Sequence, residues 1–237
     1  MICIAGHQPN LYPYAGFFAK IANVDKFVIA DNTQYVKKEY HNRNRIKLLS
    51  GSVAWLTIPV KNKGHYKQKI NEAEIDNSQQ WKRKQEKTLL VNYRSSPFFD
   101  IYMPEFQALL NKEWNFLADY NIAVIKLVLN LLNIDTPIFL ASDLHVSGQS
   151  TEYILDLCRK SGGTAYMHGK HAYDYVDFSM LQSNGIKNYI QDYQAVEYRQ
   201  ASSPFISNLS ILDILFNCGE NSREIILSGH HCTQLNS

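Results

Sequence analysis

Three stretches place imidazole, amide, carboxyl and cationic groups directly after short apolar runs. Residues 2–5 break at Gly6 into His7-Gln8-Pro9-Asn10; residues 26–30 run into Asp31-Asn32-Thr33-Gln34-Tyr35, with Lys37 behind; residues 165–167 give way to His168-Gly169-Lys170-His171. An imidazole titrates near working pH, so His7 or His168 is a candidate general base. The amides of Gln8, Asn10, Gln34 and Asn44 and the carboxylate of Asp31 suit the hydroxyls and amines of a sugar-like ligand. Lys37, Arg43 and Arg45 suit phosphate, arginine in the bidentate manner of a guanidinium. Arg43 and Arg45 alternate with Asn42 and Asn44, which sets both guanidinium groups on one side of an extended chain. The competing reading is that the strand-end polar groups only bond turn backbone and that the cations form a solvated face.

Other chemistries fit less well. His168 and His171 are three apart and His230-His231-Cys232 are contiguous, but a loop and a polar tail give neither set fixed geometry, and no H-E-x-x-H or C-x-x-C occurs, so no metal is expected. There is no G-x-S-x-G, and Cys158 lies on an apolar helical face. With neither a Walker loop nor G-x-G-x-x-G, a nucleotide would have to be held in another way.

A parallel sheet is the element that would gather these groups along one edge. Strand-like segments at 2–5, 26–30, 138–141, 165–167 and 186–190 alternate with helical patterns, which points to βαβ units and a mainly parallel, Rossmann-like α/β sheet with flanking helices and a helical insertion. In such sheets ligands bind outside the carboxyl ends of the strands. The helical middle spans about 78–133, with helices expected at about 78–93, 104–112 and 116–132. Ser50-Gly51-Ser52 between β-prone runs reads as a hairpin, and Pro59 puts its strand at an edge or end. The Lys-rich stretch 62–69 reads as an exposed, mobile loop. A single domain over 1–225 is expected, followed by a poorly ordered polar tail over 226–237.

The bulk composition narrows the class. The chain of 237 residues is 45% hydrophobic and 19% charged, enough for a well-buried core. Its 24 Lys and Arg almost cancel 22 Asp and Glu, and the net charge of +2 gives no global pull toward nucleic acid or an anionic membrane. The four cysteines are scattered, as in a reduced, cytoplasmic protein. The opening residues lack a basic-then-apolar leader, and no apolar run reaches the length of a membrane span.

The loop from His7 to Gly16 resembles in part the histidine-bearing loop of the nucleotidyltransferase-like fold, without its H-x-G-H, and residues 27–35 are similar to the second-strand segment of pantoate-activating ligases. A broader match follows from His7-Gln8-Pro9-Asn10 with Pro13 and Gly16, Asp31 with Gln34 and Lys37, residues 42–47, residues 55–60, Ile75-Asp76-Asn77, Trp81 with Lys84, Lys87-Thr88 with Asn92-Tyr93, and residues 208–213. Together, in this order, they resemble the WbqC-like family. The resemblance implies a cytosolic role in making or modifying activated sugars for bacterial O-antigen and other surface polysaccharides. Together with the strand-end residues it leads to the expectation of an enzyme that acylates or aminoacylates an amino sugar on a nucleotide-linked intermediate, with an acyl or amino-acid donor and ATP as a candidate cofactor. The alternative is a non-catalytic module that holds a sugar nucleotide for a partner transferase. A nucleic-acid protein using Arg43, Arg45, Lys47 and the 61–69 loop is disfavoured by the charge balance.

Overall fold

Residues 1–61, 64 and 67–235 are described by a computed structural model. Residues 62, 63, 65 and 66, half of the 62–69 loop, therefore lie outside the described residues.

Alternating apolar positions create the central layer. In β1 (Cys3–His7), Ile4 packs on one side of the sheet and Ala5 on the other; in β2 (Lys26–Ile29), Val28 divides in the same way from Phe27 and Ile29. Both faces are buried, as the crossovers of a parallel sheet require. The remaining strands are β5 (Ile138–Leu140), β6 (Ala165–Gly169), β7 (Lys187–Tyr193) and β8 (His230–Gln234), and the order across the sheet is β5-β2-β1-β6-β7-β8. All neighbours are parallel except β7 and β8. β3 (Arg43–Lys47) and β4 (Val53–Thr57) form a separate antiparallel hairpin, turning at the expected Ser50-Gly51-Ser52.

Two cores sandwich the sheet. On one face lie α1 (Ala15–Ala22), α2 (Trp81–Tyr93), α3 (Phe99–Asn111), α4 (Leu117–Leu131) and α7 (Ile211–Cys218), with Phe18, Tyr93, Phe106, Tyr120 and Phe216 buried. On the other lie α5 (Ser150–Ser161) and α6 (Phe178–Ser183), with Leu157, Cys158 and Leu181 buried. Gly162 ends α5 in the left-handed region at φ 73°, the conformation glycine adopts most cheaply. α8 (Ser222–Ser228) leads into β8. The expected helical middle is present, but α3 begins five residues before Pro104, which sits inside it rather than at its start.

One sequence expectation is corrected here. The polar tail does not lack order throughout: residues 230–234 pair with β7 from Tyr193↔His230 to Tyr189↔Gln234. The long connection from β7 to α7 is also fixed, by a buried polar network. Tyr93 and Tyr198 each donate to the Asp213 carboxylate at 2.7 Å, Gln200 donates to it at 3.0 Å, and the Lys47 ammonium bonds Gln200 Oε1 at 2.9 Å.

Candidate functional site

The chain enters the sheet at β1, builds outward to β2 and β5, then returns to β6 beside β1 and continues in the opposite direction. The strand order therefore reverses between β1 and β6, and loops from these two strands leave the sheet on opposite sides. Such a point opens a crevice at the carboxyl ends. A cavity of about 780 Å³ lies there, lined by His7, Asn10 and Tyr14 after β1, Lys20 on α1, His168 and Gly169 on β6, and Gln191 and Tyr193 on β7. Gln8, Tyr40, His41, Asn44, Arg45, Lys170, His171 and Tyr175 are also among its lining residues.

The histidine protonation pattern follows from partners that can only accept or only donate. His7 Nδ1 lies 2.9 Å from the Gln8 carbonyl, which accepts, so Nδ1 carries the proton and Nε2 keeps its lone pair. His41 Nδ1 accepts from the Val36 amide, so its Nε2–H donates to Gln8 Oε1 at 2.9 Å; the Gln8 amide then donates to Thr33 Oγ1. His168 Nε2 meets Asn188 Oδ1 at 2.9 Å, and the Asn188 amide, bonding the Ile186 carbonyl, fixes which atom faces the imidazole. His168 Nδ1 is thus a buried acceptor with no partner among the described residues. Burial holds all three imidazoles down to about 4, with the Lys20 charge adding to the effect at His7 and His168, so they are neutral at pH 7.

Lys20 gave no signal in the sequence reading. It is 6% exposed, and burial lowers its ammonium to about 8. Among the described residues it has no hydrogen-bond or ion-pair partner. The one available clue was a lysine in the otherwise apolar helix Ala15–Ala22.

The expected site residues divide. His7, Gln8, Asn10, Asn44, Arg45 and His168 line the cavity; Asp31, Gln34, Lys37 and Arg43 do not. The reason is topological: the reversal makes β6, not β2, the partner of β1 in forming the crevice. The Asp31 carboxylate accepts from the Ser142 backbone amide at 2.9 Å and from its hydroxyl, tying the ends of β2 and β5. Gln34 bridges to Lys69, and Lys37 is exposed. Arg43 stacks 4.0 Å over the Trp55 ring, a contact that suits a planar cation. Arg45, on the same side of β3, reaches the Asn208 carbonyl at 3.0 Å, leaving its buried Nε unpaired.

Two cavity amides are already engaged. Gln8 accepts from His41 and donates to Thr33, while Asn44 donates to the Leu11 and Tyr12 carbonyls and accepts from the Arg45 amide. They brace the loop. Asn10 has no side-chain partner among the described residues and is free to meet a ligand. No group of three or more His, Cys, Asp or Glu is arranged to hold a metal ion among those residues.

Fold and cavity define a Rossmann-like α/β protein with a crevice at its topological switch point. The chain belongs to the WbqC-like protein family, whose profile matches residues 8–225. It is 32% identical to the "Uncharacterized protein Rv1507c" of Mycobacterium tuberculosis (strain ATCC 25618 / H37Rv) over 232 residues, covering 96% of this chain and 97% of that protein. No solved structure matches it.

Proposed function

We propose that this protein is an enzyme that acylates or aminoacylates an amino sugar carried on a nucleotide, in the synthesis of O-antigen or a related surface polysaccharide. The observation that carries the reading is His7: a neutral imidazole at the switch-point crevice, its Nδ1–H committed to the Gln8 carbonyl and its Nε2 lone pair without a partner among the described residues. In the proposed step the sugar amine attacks the donor carbonyl and its proton passes to His7 Nε2. The new C–N bond forms as the bond to the leaving group breaks, and that group departs with the electron pair. The Gln8–His41–Thr33 chain holds the loop that presents His7, and Asn10 is placed to orient sugar hydroxyls. The polysaccharide setting rests on the family.

Incubation with nucleotide-linked amino sugars, amino acids and ATP, followed by mass spectrometry, tests the reading. The expected result is a sugar nucleotide heavier by one acyl or aminoacyl unit, formed at least about 100-fold more slowly by His7→Gln, which lacks a proton acceptor of imidazole type. Saturable binding of the sugar nucleotide without any mass gain across the panel would instead identify a non-catalytic carrier.

A further inference from the structure

A buried ammonium with no acceptor is costly, because desolvation is offset only when an opposite charge or several hydrogen bonds replace water. Lys20 is close to such a group: it is 6% exposed, and among the described residues no acid pairs with it. Its charge acts on three imidazoles, those of His7, His168 and His230, each of which burial keeps neutral. The acidic groups of the cavity wall, Glu39 and Asp192, are not its partners; Asp192 pairs with Lys170 at 3.2 Å on the exposed rim. Backbone also approaches closely. A Cβ placed on Gly169, at the carboxyl end of β6, would come within 3.3 Å of Lys20 Nζ, so the glycine leaves room beside the ammonium. Arg45, which also lines the cavity, offers a second cation, held by one bond to a carbonyl and, among the described residues, by no carboxylate.

We infer that Lys20 is an oxyanion hook: it receives a phosphate or carboxylate oxygen of the substrate at the base of the switch-point cavity, beside Gly169, with Arg45 as the outer cation. This rests on the proposed function only in taking the ligand to be the substrate of that same cavity, and it names the part of the ligand that the crevice grips. The shared chemistry is a compact oxyanion, whose source is the diphosphate of a sugar nucleotide or the carboxylate of a donor. Charge compensation at Lys20 has a consequence for His7. It removes one of the two main influences holding that imidazole down, so anion binding makes His7 a stronger base once substrate is seated.

The hook is testable without turnover. In calorimetry at fixed ionic strength, the full chain is titrated with inorganic pyrophosphate and, separately, with acetate. The expected result is saturable binding of at least one, weakened tenfold or more in Lys20→Met, which keeps length and apolar bulk while deleting the charge. Without ligand, Lys20→Met should melt higher than the wild type, by about 2–4 °C for each kcal/mol of relieved burial, since a site residue held for binding strains the empty fold. A second measurement uses unaltered protein: reductive methylation mapped by mass spectrometry should modify Lys20 more slowly when the bound anion is present. Protection by pyrophosphate assigns the hook to phosphate, and protection by acetate assigns it to the donor carboxylate. Equal affinity in Lys20→Met, a lower melting point for that variant, or methylation unaffected by either anion would overturn the inference. Anion binding without mass gain in the sugar-nucleotide assay refutes the transfer reading alone. Mass gain with an unchanged KM in Lys20→Met refutes the hook alone.

Discussion

Asn10 and Asn44 are the same side chain on the wall of the same cavity, yet they do different work. Asn44 is 2% exposed, and its amide spans two carbonyls of the 11–12 backbone while its oxygen takes the Arg45 amide. Removing it strands three backbone groups in the interior, where each unsatisfied group costs about 1–3 kcal/mol. Asn44→Ala should therefore lower unfolding stability by at least about 2 kcal/mol in urea titration, whereas Asn10→Ala should stay within about 0.5 kcal/mol and lose ligand affinity instead. Equal stability losses in the two variants would show that Asn10 is a brace as well. Nothing in the sequence separates them, since an amide beside apolar residues looks the same whether its partner is backbone or ligand. Arg43 and Arg45 pose the same problem. Alternation places both on one side of β3, and only the cross-strand neighbour Trp55, opposite Arg45 in the ladder but stacked under Arg43, draws Arg43 away from the cavity. Accordingly Arg43→Lys should leave pyrophosphate affinity unchanged while Arg45→Lys weakens it, because Lys cannot keep the Asn208 carbonyl and an anion in one planar fork.

At the scale of elements, strands with two apolar faces were legible and those without were not. β1, β2, β6 and β7 announce themselves by apolar content, and the helical middle by period. β8 reads His230-His231-Cys232-Thr233-Gln234 and exposes most of its length. It is held by its ladder to β7 and by His230 Nδ1, which meets the Gln191 amide at 3.2 Å, rather than by an apolar face. α3 is expected from about residue 104, and proline suits a first helical turn, but the apolar groups of Phe99, Tyr102 and Met103, all buried, extend it upstream. The two strand ends at β1 and β2 looked like one site, but pairing order, which decides the crevice, is not written in any single segment. Deleting residues from His230 onward should uncover the outer edge of β7, a row of unpaired backbone groups that invites edge-to-edge association. Light scattering after size exclusion should find the truncated chain self-associating and melting lower than the full chain; an unaltered monomer of unaltered melting point would mean that β8 contributes little.

For the molecule as a whole, the switch-point cavity makes stability depend on acid. His7, His41 and His168 come from β1, the β2–β3 connection and β6, and burial holds each down to about 4 in the folded state. Unfolded, each titrates near its ordinary value of about 6.5. The unfolded chain therefore binds protons first as the medium is acidified. Stability is fully present above about pH 6.5 and is lost as pH falls from there toward 4, at up to about 1.4 kcal/mol per pH unit for each imidazole, or roughly 4 kcal/mol per unit for the three near pH 5. Two groups of carboxylates act outside this window or against it. Asp76, Asp156 and Asp177 are held below their ordinary range, so their contribution is lost only below about pH 4. Asp213 and Asp119 are raised by burial, which moderates the decline from the opposite side. Urea midpoints between pH 7.5 and 4.5 should fall with a slope of two to three protons taken up on unfolding. Pyrophosphate, by compensating Lys20, should shorten the decline from its acid end, because His7 and His168 in the folded state then titrate closer to their ordinary value while the onset near pH 6.5 stays set by the unfolded chain. A slope of less than one proton over the same range would mean that these imidazoles meet solvent in the folded state, and the neutral base at His7 would lose its physical basis.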